Sequence, residues 1–204
     1  MPRYANSIGP DGRRAFFRQF LRRPREVGSI IPSSRFLERR ILNLGKVESS
    51  RTIVELGPGT GGTTRAILGE MPKDGCLLSI ELNPELHALV DTISDDRLIA
   101  HCGNAADLER TLDEYAIDPP DVVISGIPFS TMREETGLQV LEAVMAVLAP
   151  EGRFVAYQAR SRVAELCDPL MGSGEREVEL LNIPPMRVYR WEKNGMSQGN
   201  GHSC

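Results

Sequence analysis

The stretch Val54-Glu55-Leu56-Gly57-Pro58-Gly59-Thr60-Gly61-Gly62 decides the fold of this chain. It joins a strand-like run (51–56) to a helix-like run (61–70) through closely spaced glycines. Glycine permits tight turns and close backbone approach, so this unit predicts a ligand-binding turn at a helix N-terminus. The pattern alone is not specific, because dinucleotide-binding enzymes use a similar turn. The helix start lacks Lys-Ser/Thr, which argues against a triphosphate-binding P-loop.

Strand-like and helix-like segments alternate around this turn. The predicted strands are 51–56, 76–81, 97–102, 121–125, 153–158, 177–183 and 186–192. The predicted helices are 34–44, 61–70, 84–94, 106–115, 134–148 and 160–170. Only Pro184-Pro185 joins the last two strands, which is too short for a helical crossover and predicts an antiparallel pair. The predicted class is therefore α/β, with a mostly parallel sheet, helices on both faces and a C-terminal antiparallel hairpin.

Two carboxylates near the glycines indicate which nucleotide-like ligand the turn holds. Glu55 lies two residues before Gly57, where it would repel a pyrophosphate but could hold the ammonium group of a methionine moiety, directly or through water. Glu81 ends the next strand, the place from which a carboxylate accepts hydrogen bonds from ribose hydroxyls. Asn104 follows the third strand and is either an adenine contact or a turn residue. Together these residues favour S-adenosylmethionine over NAD.

The segments VELGPGTGGTT, IELNPEL, GNAADL, SGIPFS and VLAPEGRFVAY, in this order, resemble the successive motifs of Rossmann-like class I methyltransferases. The resemblance covers roughly residues 51–192. It implies a seven-stranded sheet with the last strand inserted antiparallel, S-adenosyl-L-methionine as cofactor and S-adenosyl-L-homocysteine as product. The predicted cofactor-binding residues are Glu55, Gly57, Gly59, Gly61, Glu81, Leu82, Gly103, Asn104, Ala105 and Ser125.

Within that superfamily the chain most resembles bacterial phospholipid N-methyltransferases, which methylate phosphatidylethanolamine stepwise toward phosphatidylcholine. The segments 27–34, 125–129 and 182–188 carry this closer resemblance. Ribosomal RNA adenine dimethyltransferases share the layout but usually carry Asn-Leu-Pro-Tyr where this chain has residues 126–129, Gly-Ile-Pro-Phe. Asn104 replaces the aspartate common in both groups. RNA adenine N6-methylation and methylation of a small molecule are the alternatives.

The resemblance also places the methyl acceptor. The predicted acceptor-side residues are Ser125, Gly126, Ile127, Pro128, Phe129 and Tyr157. A methyl group passes in line from a sulfonium to a nitrogen lone pair, so positioning and a dry site matter most. The amine must first lose its proton, and no general base is evident. An aromatic face, from Phe129, Tyr157 or Tyr4, could hold the methylated cation, although a core position suits Phe129 as well.

Arginines are concentrated at the N-terminus. Residues 1–40 contain ten arginines and three acidic residues, a net charge of +7. Because the whole chain has a net charge of −4, the remaining 164 residues carry −11. On a helical wheel Phe16, Phe17, Phe20 and Leu21 share one face, away from the arginines. We therefore expect residues 12–25 to contact an anionic membrane surface; packing of the phenylalanines on the domain is the alternative. Nucleic acid is the less favoured partner, because the rest of the chain is acidic.

These observations predict three regions: a basic amphipathic segment over 1–33 (membrane contact or lid), a methyltransferase domain over 34–193 and a disordered tail over 194–204. Apolar runs are too short to span a bilayer, and no secretory signal is evident. Widely spaced cysteines predict no metal site. We expect a cytoplasmic protein that associates peripherally with membranes. On the last strand, Arg187 and Arg190 are either exposed residues or ligands of a lipid phosphate.

Overall fold

A computed structural model of the chain describes residues 34–182 and 184–193. The predicted N-terminal segment and tail lie outside these residues. The strands are β1 (Thr52–Leu56), β2 (Cys76–Glu81), β3 (Leu98–Cys102), β4 (Val122–Ser125), β5 (Arg153–Gln158), β6 (Glu175–Glu179) and β7 (Met186–Glu192). The α-helices are α1 (Arg35–Gly45), α2 (Gly62–Glu70), α3 (Pro84–Val90), α4 (Leu108–Glu114), α5 (Glu134–Val147) and α6 (Arg162–Met171).

The seven strands form one sheet in the order β3-β2-β1-β4-β5-β7-β6. The first five strands are parallel, and β7 is antiparallel to both β5 and β6. The chain runs outward from β1 to β3 and then returns to the other side of β1 with β4. This reversal makes the β1/β4 boundary the switch point where ligands bind in open α/β sheets. The predicted Rossmann-like fold class is confirmed.

The central strands β1, β2, β4 and β5 alternate their side chains between two hydrophobic clusters, one on each face of the sheet. Ile53 faces the cluster that includes residues of α1 and α2, whereas Val54 faces the one built by α4, α5 and α6. Val155 and Phe154 of β5 divide in the same way. Burial on both faces explains why the central strands are nearly continuous apolar runs.

Local signals fix the helix starts. Ser34 accepts a hydrogen bond from the backbone N–H of Leu37 at 3.2 Å and caps α1. Asn83 caps α3 through the N–H groups of Glu85 and Leu86, with Pro84 at the first helical position. The predicted helix 84–94 is too long, since α3 ends at Val90.

Other predicted helix limits also differ in detail. The predicted helix 106–115 divides into a 3₁₀ turn over Ala105–Asp107 and α4. The helix predicted over 160–170 is observed over Arg162–Met171, so it begins two residues later than predicted. Further 3₁₀ turns span Val47–Ser49 and Phe129–Thr131. These differences leave the order of elements unchanged.

The limits predicted for the sixth strand, 177–183, are wrong, although the antiparallel pairing is confirmed. β6 spans Glu175–Glu179, and Glu179 faces Met186, so the connection to β7 begins at Leu180. After Glu179 the chain turns, because the N–H of Leu181 donates to the Glu179 side chain at 2.8 Å. Leu180 and Leu181 are exposed in this connection. These two leucines are apolar although they are exposed, and this is why the predicted strand was too long at its C-terminal end.

Asn182 fastens this connection to the start of α1. Its Oδ1 accepts from the backbone N–H of Ser34 at 3.0 Å, and its Nδ2 donates to the carbonyl of Pro184 at 3.0 Å. The side chain is buried, so losing it leaves two backbone groups without partners in a poorly hydrated place.

We predict that Asn182→Ala lowers the free energy of unfolding by about 1–3 kcal/mol, because two buried polar groups lose their hydrogen bonds. Urea unfolding followed by circular dichroism measures this. Asn43→Ala, at an exposed position of α1, is the matched control and should change stability by less than about 0.5 kcal/mol. Equal effects of the two substitutions would contradict the role given to Asn182.

Candidate cofactor and acceptor site

The loops that follow β1, β3 and β4 leave the sheet at one edge and are held there by backbone hydrogen bonds. Gly57 donates to the carbonyl of Ile80 at 2.9 Å, and Gly126 donates to the carbonyl of Leu56 at 2.9 Å. Gly103 donates to the carbonyl of Glu81 at 3.0 Å. The segments predicted to carry cofactor and acceptor residues are thereby gathered at the carboxyl ends of adjacent strands.

The glycine loop adopts a conformation that selects glycine. Gly57, Gly59 and Gly61 have φ angles of +73°, +58° and +80°, in the left-handed region that residues with a Cβ rarely adopt. Gly61 is the N-cap of α2. A Cβ on Gly57 would also lie 3.2 Å from Cγ1 of Ile127, so the loop after β1 packs tightly against the loop after β4.

Glu55 presents a buried carboxylate beneath the glycine loop. Its Oε2 accepts from Oγ1 of Thr64 at 2.6 Å and from Oγ of Ser79 at 2.9 Å. Its Oε1 is buried and has no hydrogen-bond partner among the described residues. Only 1% of the residue is exposed, and this burial raises the pKa of Glu55 to about 7. An unpaired buried carboxylate oxygen suits a cationic ligand group.

Glu81 links the glycine loop to the start of α3. Its Oε2 accepts from the N–H of Gly59 at 3.2 Å, and its Oε1 accepts from the N–H of Asn83 at 3.0 Å. Burial raises the pKa of this carboxyl above its usual value. Each oxygen keeps a further lone pair that can accept from a hydroxyl. Leu82, which is 69% exposed, provides an apolar surface next to this carboxylate.

Of the two roles considered for Asn104, the structure shows the turn role. Its Oδ1 accepts from the N–H of Ala106 at 3.0 Å and caps the 3₁₀ turn that begins at Ala105. Asn104 is exposed and Gly103 is half-buried, so both lie at the rim of the site, whereas Ala105 is buried. The amide nitrogen of Asn104 and the second lone pair of its Oδ1 remain for an adenine contact.

On the acceptor side, Gly126 lies in close contact with its surroundings. A Cβ at this position would come within 2.5 Å of the Tyr157 hydroxyl and within 2.9 Å of the Gly57 carbonyl oxygen. Tyr157 in turn shares a hydrogen bond with Oγ1 of Thr63 at 3.3 Å. Burial raises the pKa of Tyr157 well above its usual value, so its phenol stays protonated. Ser125 is buried, and its Oγ accepts from the N–H of Ile127 at 3.3 Å.

Phe129 does not join the other acceptor-side candidates. Its ring is only 1% exposed and belongs to the cluster beneath α5 and α6, near Gly137. The turn at Pro128 sends the following side chain into the core, because that face of the sheet is lined with apolar residues. The prediction that Phe129 contributes an aromatic face to the acceptor is therefore wrong, and its alternative as a core residue is confirmed.

Gln158 is a site residue that the sequence reasoning missed. It ends β5, is 5% exposed, and donates from Nε2 to the carbonyl of Ile127 at 3.1 Å. Its Oε1 is buried without a partner among the described residues. The only signal in the sequence was one amide residue at the end of the apolar run RFVAYQ. Within residues 34–182 and 184–193 no cluster of His, Cys, Asp and Glu is arranged to hold a metal ion.

We predict that Gly126→Ala lowers stability by about 1–3 kcal/mol and weakens S-adenosylmethionine binding, because the new methyl group would push apart Tyr157 and the loop at Gly57. Thermal unfolding and calorimetric titration measure the two effects. Gly69→Ala is the control: nothing lies within 4 Å of its Cβ position in α2, so it should be neutral or stabilising. A harmless Gly126→Ala would contradict the close approach.

We also predict that stability falls as pH rises from about 4.5 to 7, in part through Glu55. Folding raises the pKa of Glu55 from 4.5 to about 7, so in this window the folded state binds more protons than the unfolded state. Glu55→Gln should remove up to about 3 kcal/mol of this fall. Urea unfolding at several pH values measures it. Glu142→Gln, at an exposed position, should leave the wild-type pH profile unchanged; a Glu55→Gln profile that also matches wild type would contradict the assignment.

The chain is similar in sequence to known methyltransferases. Over 141 residues the chain is 30% identical to the ornithine lipid N-methyltransferase of Singulisphaera acidiphila, a match that covers 68% of this chain and 73% of that protein. It is also 29% identical over 114 residues to the ribosomal RNA small subunit methyltransferase A of Wolbachia pipientis, covering 55% of this chain but only 39% of that protein. No protein-family model matches the chain.

Solved structures show the same fold. An O-methyltransferase from Bacillus cereus in complex with S-adenosylhomocysteine superimposes with a TM-score of 0.65 at 12% identity, covering 88% of this chain and 91% of that one. The N-methyltransferase NodS from Bradyrhizobium japonicum, also bound to S-adenosylhomocysteine, gives a TM-score of 0.62 at 14% identity, with coverage of 86% and 97%. These likenesses show that the chain has the fold of these methyltransferases. The chain belongs to the class I S-adenosylmethionine-dependent methyltransferases, in the family that includes the ornithine lipid N-methyltransferase of Singulisphaera acidiphila.

Proposed function

We propose that this enzyme methylates the headgroup amine of a membrane aminolipid, with phosphatidylethanolamine and its methylated derivatives as acceptors. The observation that carries the proposal is the 30% identity to an ornithine lipid N-methyltransferase over 141 residues. Ornithine lipids and phosphatidylethanolamine have the same reacting group, a primary aliphatic amine near an anionic group at the membrane surface. An enzyme built for one therefore suits the chemistry of the other.

In this proposal the two sides of the glycine loop bind different parts of the cofactor. Glu55 Oε1, which is buried without a partner, receives the ammonium group of the methionine moiety. Glu81 accepts the ribose hydroxyls, and Leu82 offers its exposed side chain to the adenine. When bound, S-adenosylmethionine supplies an electrophilic methyl group on sulfur. Gly57, Gly59 and Gly61 allow the backbone to approach this ligand without a Cβ in the way.

The acceptor amine lies at the Gly126–Pro128 turn. The hydroxyls of Ser125 and Tyr157 and the amide of Gln158 surround this turn and are uncharged hydrogen-bonding groups. The N–C bond forms as the S–C bond breaks, and the proton of the ammonium form leaves to water before transfer. Tyr157 is not the base, because a phenol with a raised pKa gives up its own proton only at high pH.

Membrane contact is assigned to the N-terminal segment from its sequence. Residues 12–25 combine arginines with Phe16, Phe17 and Phe20, a composition that suits a peripheral contact with anionic lipid. In the part of the chain that the structure describes, no helix is long and apolar enough to cross a bilayer. Peripheral association brings the domain to acceptors that remain in the bilayer.

RNA methylation is the second candidate function, favoured by the ribosomal RNA methyltransferases among the relatives. Those matches span only 28–41% of the length of the relatives. Residues 41–204 carry a net charge of −11, which is unfavourable for binding a polyanion over a wide surface. The aminolipid proposal agrees better with both observations.

We predict that the full-length enzyme transfers label from S-adenosylmethionine to lipid in vesicles containing phosphatidylethanolamine or ornithine lipid. Vesicles of phosphatidylcholine alone, which have no nitrogen lone pair to methylate, are the blank. 16S ribosomal RNA and free ethanolamine are tested as alternative acceptors, and extraction followed by thin-layer chromatography locates the label. Glu55→Gln should lose at least tenfold in activity, and Glu142→Gln should keep it. Label in RNA or ethanolamine, with none in lipid, would overturn the proposal.

A further inference from the structure

A cavity of about 420 Å³ opens beside the acceptor turn and is rich in arginine. The polar residues that line it are Arg160, Arg162, Arg187, Glu165, Ser130 and Ser161, and the Ser161 hydroxyl donates to Oε1 of Glu165 at 3.2 Å. These residues follow β4, follow β5 and lie on β7, so three separate parts of the chain converge on one space. None of the residues assigned above to the cofactor lines this cavity.

The cavity is adjacent to the place assigned to the amine. Ala159, which lines it, directly follows Gln158, and the amide of Gln158 is bonded to the carbonyl of Ile127 in the acceptor turn. Arg187 faces Gln158 across the antiparallel β5–β7 pair. A ligand group in the cavity is therefore separated from the turn by about one residue of β5.

The charges in the cavity are not balanced. Arg162 pairs with Glu134 and Glu165, so its charge is neutralised. Arg187 donates from Nη1 to the carbonyl of Ala159 at 2.5 Å, which orients its guanidinium without a carboxylate. In the described part of the chain no carboxylate pairs with Arg160 or Arg187. Two positive charges thus face the same space.

Arg190, the other arginine considered for a lipid phosphate, does not belong to this group. It pairs with Glu175 at 3.3 Å and with Glu192 at 3.6 Å, near the far edge of the sheet. Carboxylates therefore already pair with Arg190, whereas Arg187 of the same strand lines the cavity.

We propose that Arg160 and Arg187, assisted by the hydroxyl of Ser130, form a subsite that binds the anionic group of the acceptor, a phosphate or a carboxylate, while its amine lies at the Gly126–Pro128 turn. The inference rests on the proposed aminolipid function and extends it to recognition of the headgroup. Guanidinium groups bind both anions through paired N–H donors, and hydroxyls add further donors.

This subsite also explains how the amine can lose its proton without a general base. In a zwitterionic headgroup the anion stabilises the nearby ammonium form and keeps the pKa of the amine high. Pairing the anion with two arginines removes that stabilisation, and the arginine charges act directly against the ammonium ion. The subsite therefore holds the acceptor and also favours its neutral, nucleophilic form.

The test compares wild type with Arg160→Gln, with Arg187→Gln and with the double variant, using full-length protein. Three acceptors are presented in the same phosphatidylcholine vesicles: phosphatidylethanolamine, ornithine lipid, and a synthetic diacyl lipid whose primary amine is joined by an uncharged linker. We expect the KM for the first two lipids to rise roughly tenfold or more in the double variant, with the KM for the uncharged-linker lipid unchanged. For the zwitterionic lipids, the pH at which kcat reaches half of its maximum should be lower in wild type than in the double variant.

Arg110→Gln is the control for loss of one positive charge, because Arg110 is exposed on α4 and pairs with Asp107. Thermal unfolding checks each variant, and Arg160→Gln keeps the test valid if loss of the Arg187 bond to Ala159 impairs folding. An equal rise in KM for all three lipids would mean general attraction to the membrane and would overturn the subsite. So would a double variant with unchanged KM values.

A second measurement separates failure of the subsite from failure of the proposed function. Glycerophosphoethanolamine is titrated calorimetrically into wild type and the double variant, each saturated with S-adenosylhomocysteine. Binding by wild type that weakens at least tenfold in the double variant supports the subsite, even if no vesicle lipid becomes labelled and the aminolipid function fails. Labelled lipid together with identical binding by both proteins would overturn the subsite and leave the function standing.

Discussion

The loops that follow β1 and β4 touch backbone to backbone, and the site depends on this contact. A Cβ on Gly126 would lie 2.9 Å from the Gly57 carbonyl oxygen, and a Cβ on Gly57 would crowd Ile127. The contact exists because the strand order places β4 directly beside β1, although the two strands are about 70 residues apart in sequence. Reversal of the winding direction at this boundary opens the crevice, and the paired glycines let its two walls meet at the base. The cofactor side and the acceptor side are therefore continuous.

The buried carboxylate of Glu55 carries a desolvation cost that a cationic ligand can offset. A carboxylate buried with two hydroxyl donors and no cation is held in an unfavourable environment, which is why its pKa rises to about 7. A hydrophobic residue in its place would avoid this desolvation cost, so the carboxylate is not explained by stability. An incoming ammonium group would restore the charged form and supply the partner that Oε1 lacks. Residues that break the usual rules of burial are often those retained for function.

The sequence predicted the fold well because alternation and turn residues are local signals, and they sufficed for the seven strands and the terminal hairpin. It failed where burial depends on tertiary position: Leu180 and Leu181 are apolar but exposed, and so they lengthened the predicted sixth strand. Phe129 and Tyr157 were equivalent as aromatic candidates until the turn at Pro128 sent one into the core. Gln158 could not be identified, because no other functional residue lies at a characteristic sequence spacing from it. The arginine cavity could not be foreseen, because residues near 130, 160 and 187 meet only after folding.

The proposed charges divide the cleft into two halves of opposite character. Glu55 and Glu81 suit a cofactor with positive charge, whereas Arg160 and Arg187 suit an acceptor with negative charge, so each half repels the ligand of the other. Such an arrangement matters most for an aliphatic amine, whose pKa of roughly 10 keeps it protonated at neutral pH and therefore unreactive. The exocyclic amine of adenine is uncharged under the same conditions and needs no such help. Arginines beside the acceptor turn therefore serve an aminolipid better than a nucleobase, because only the aminolipid has both an anion to bind and a proton to lose.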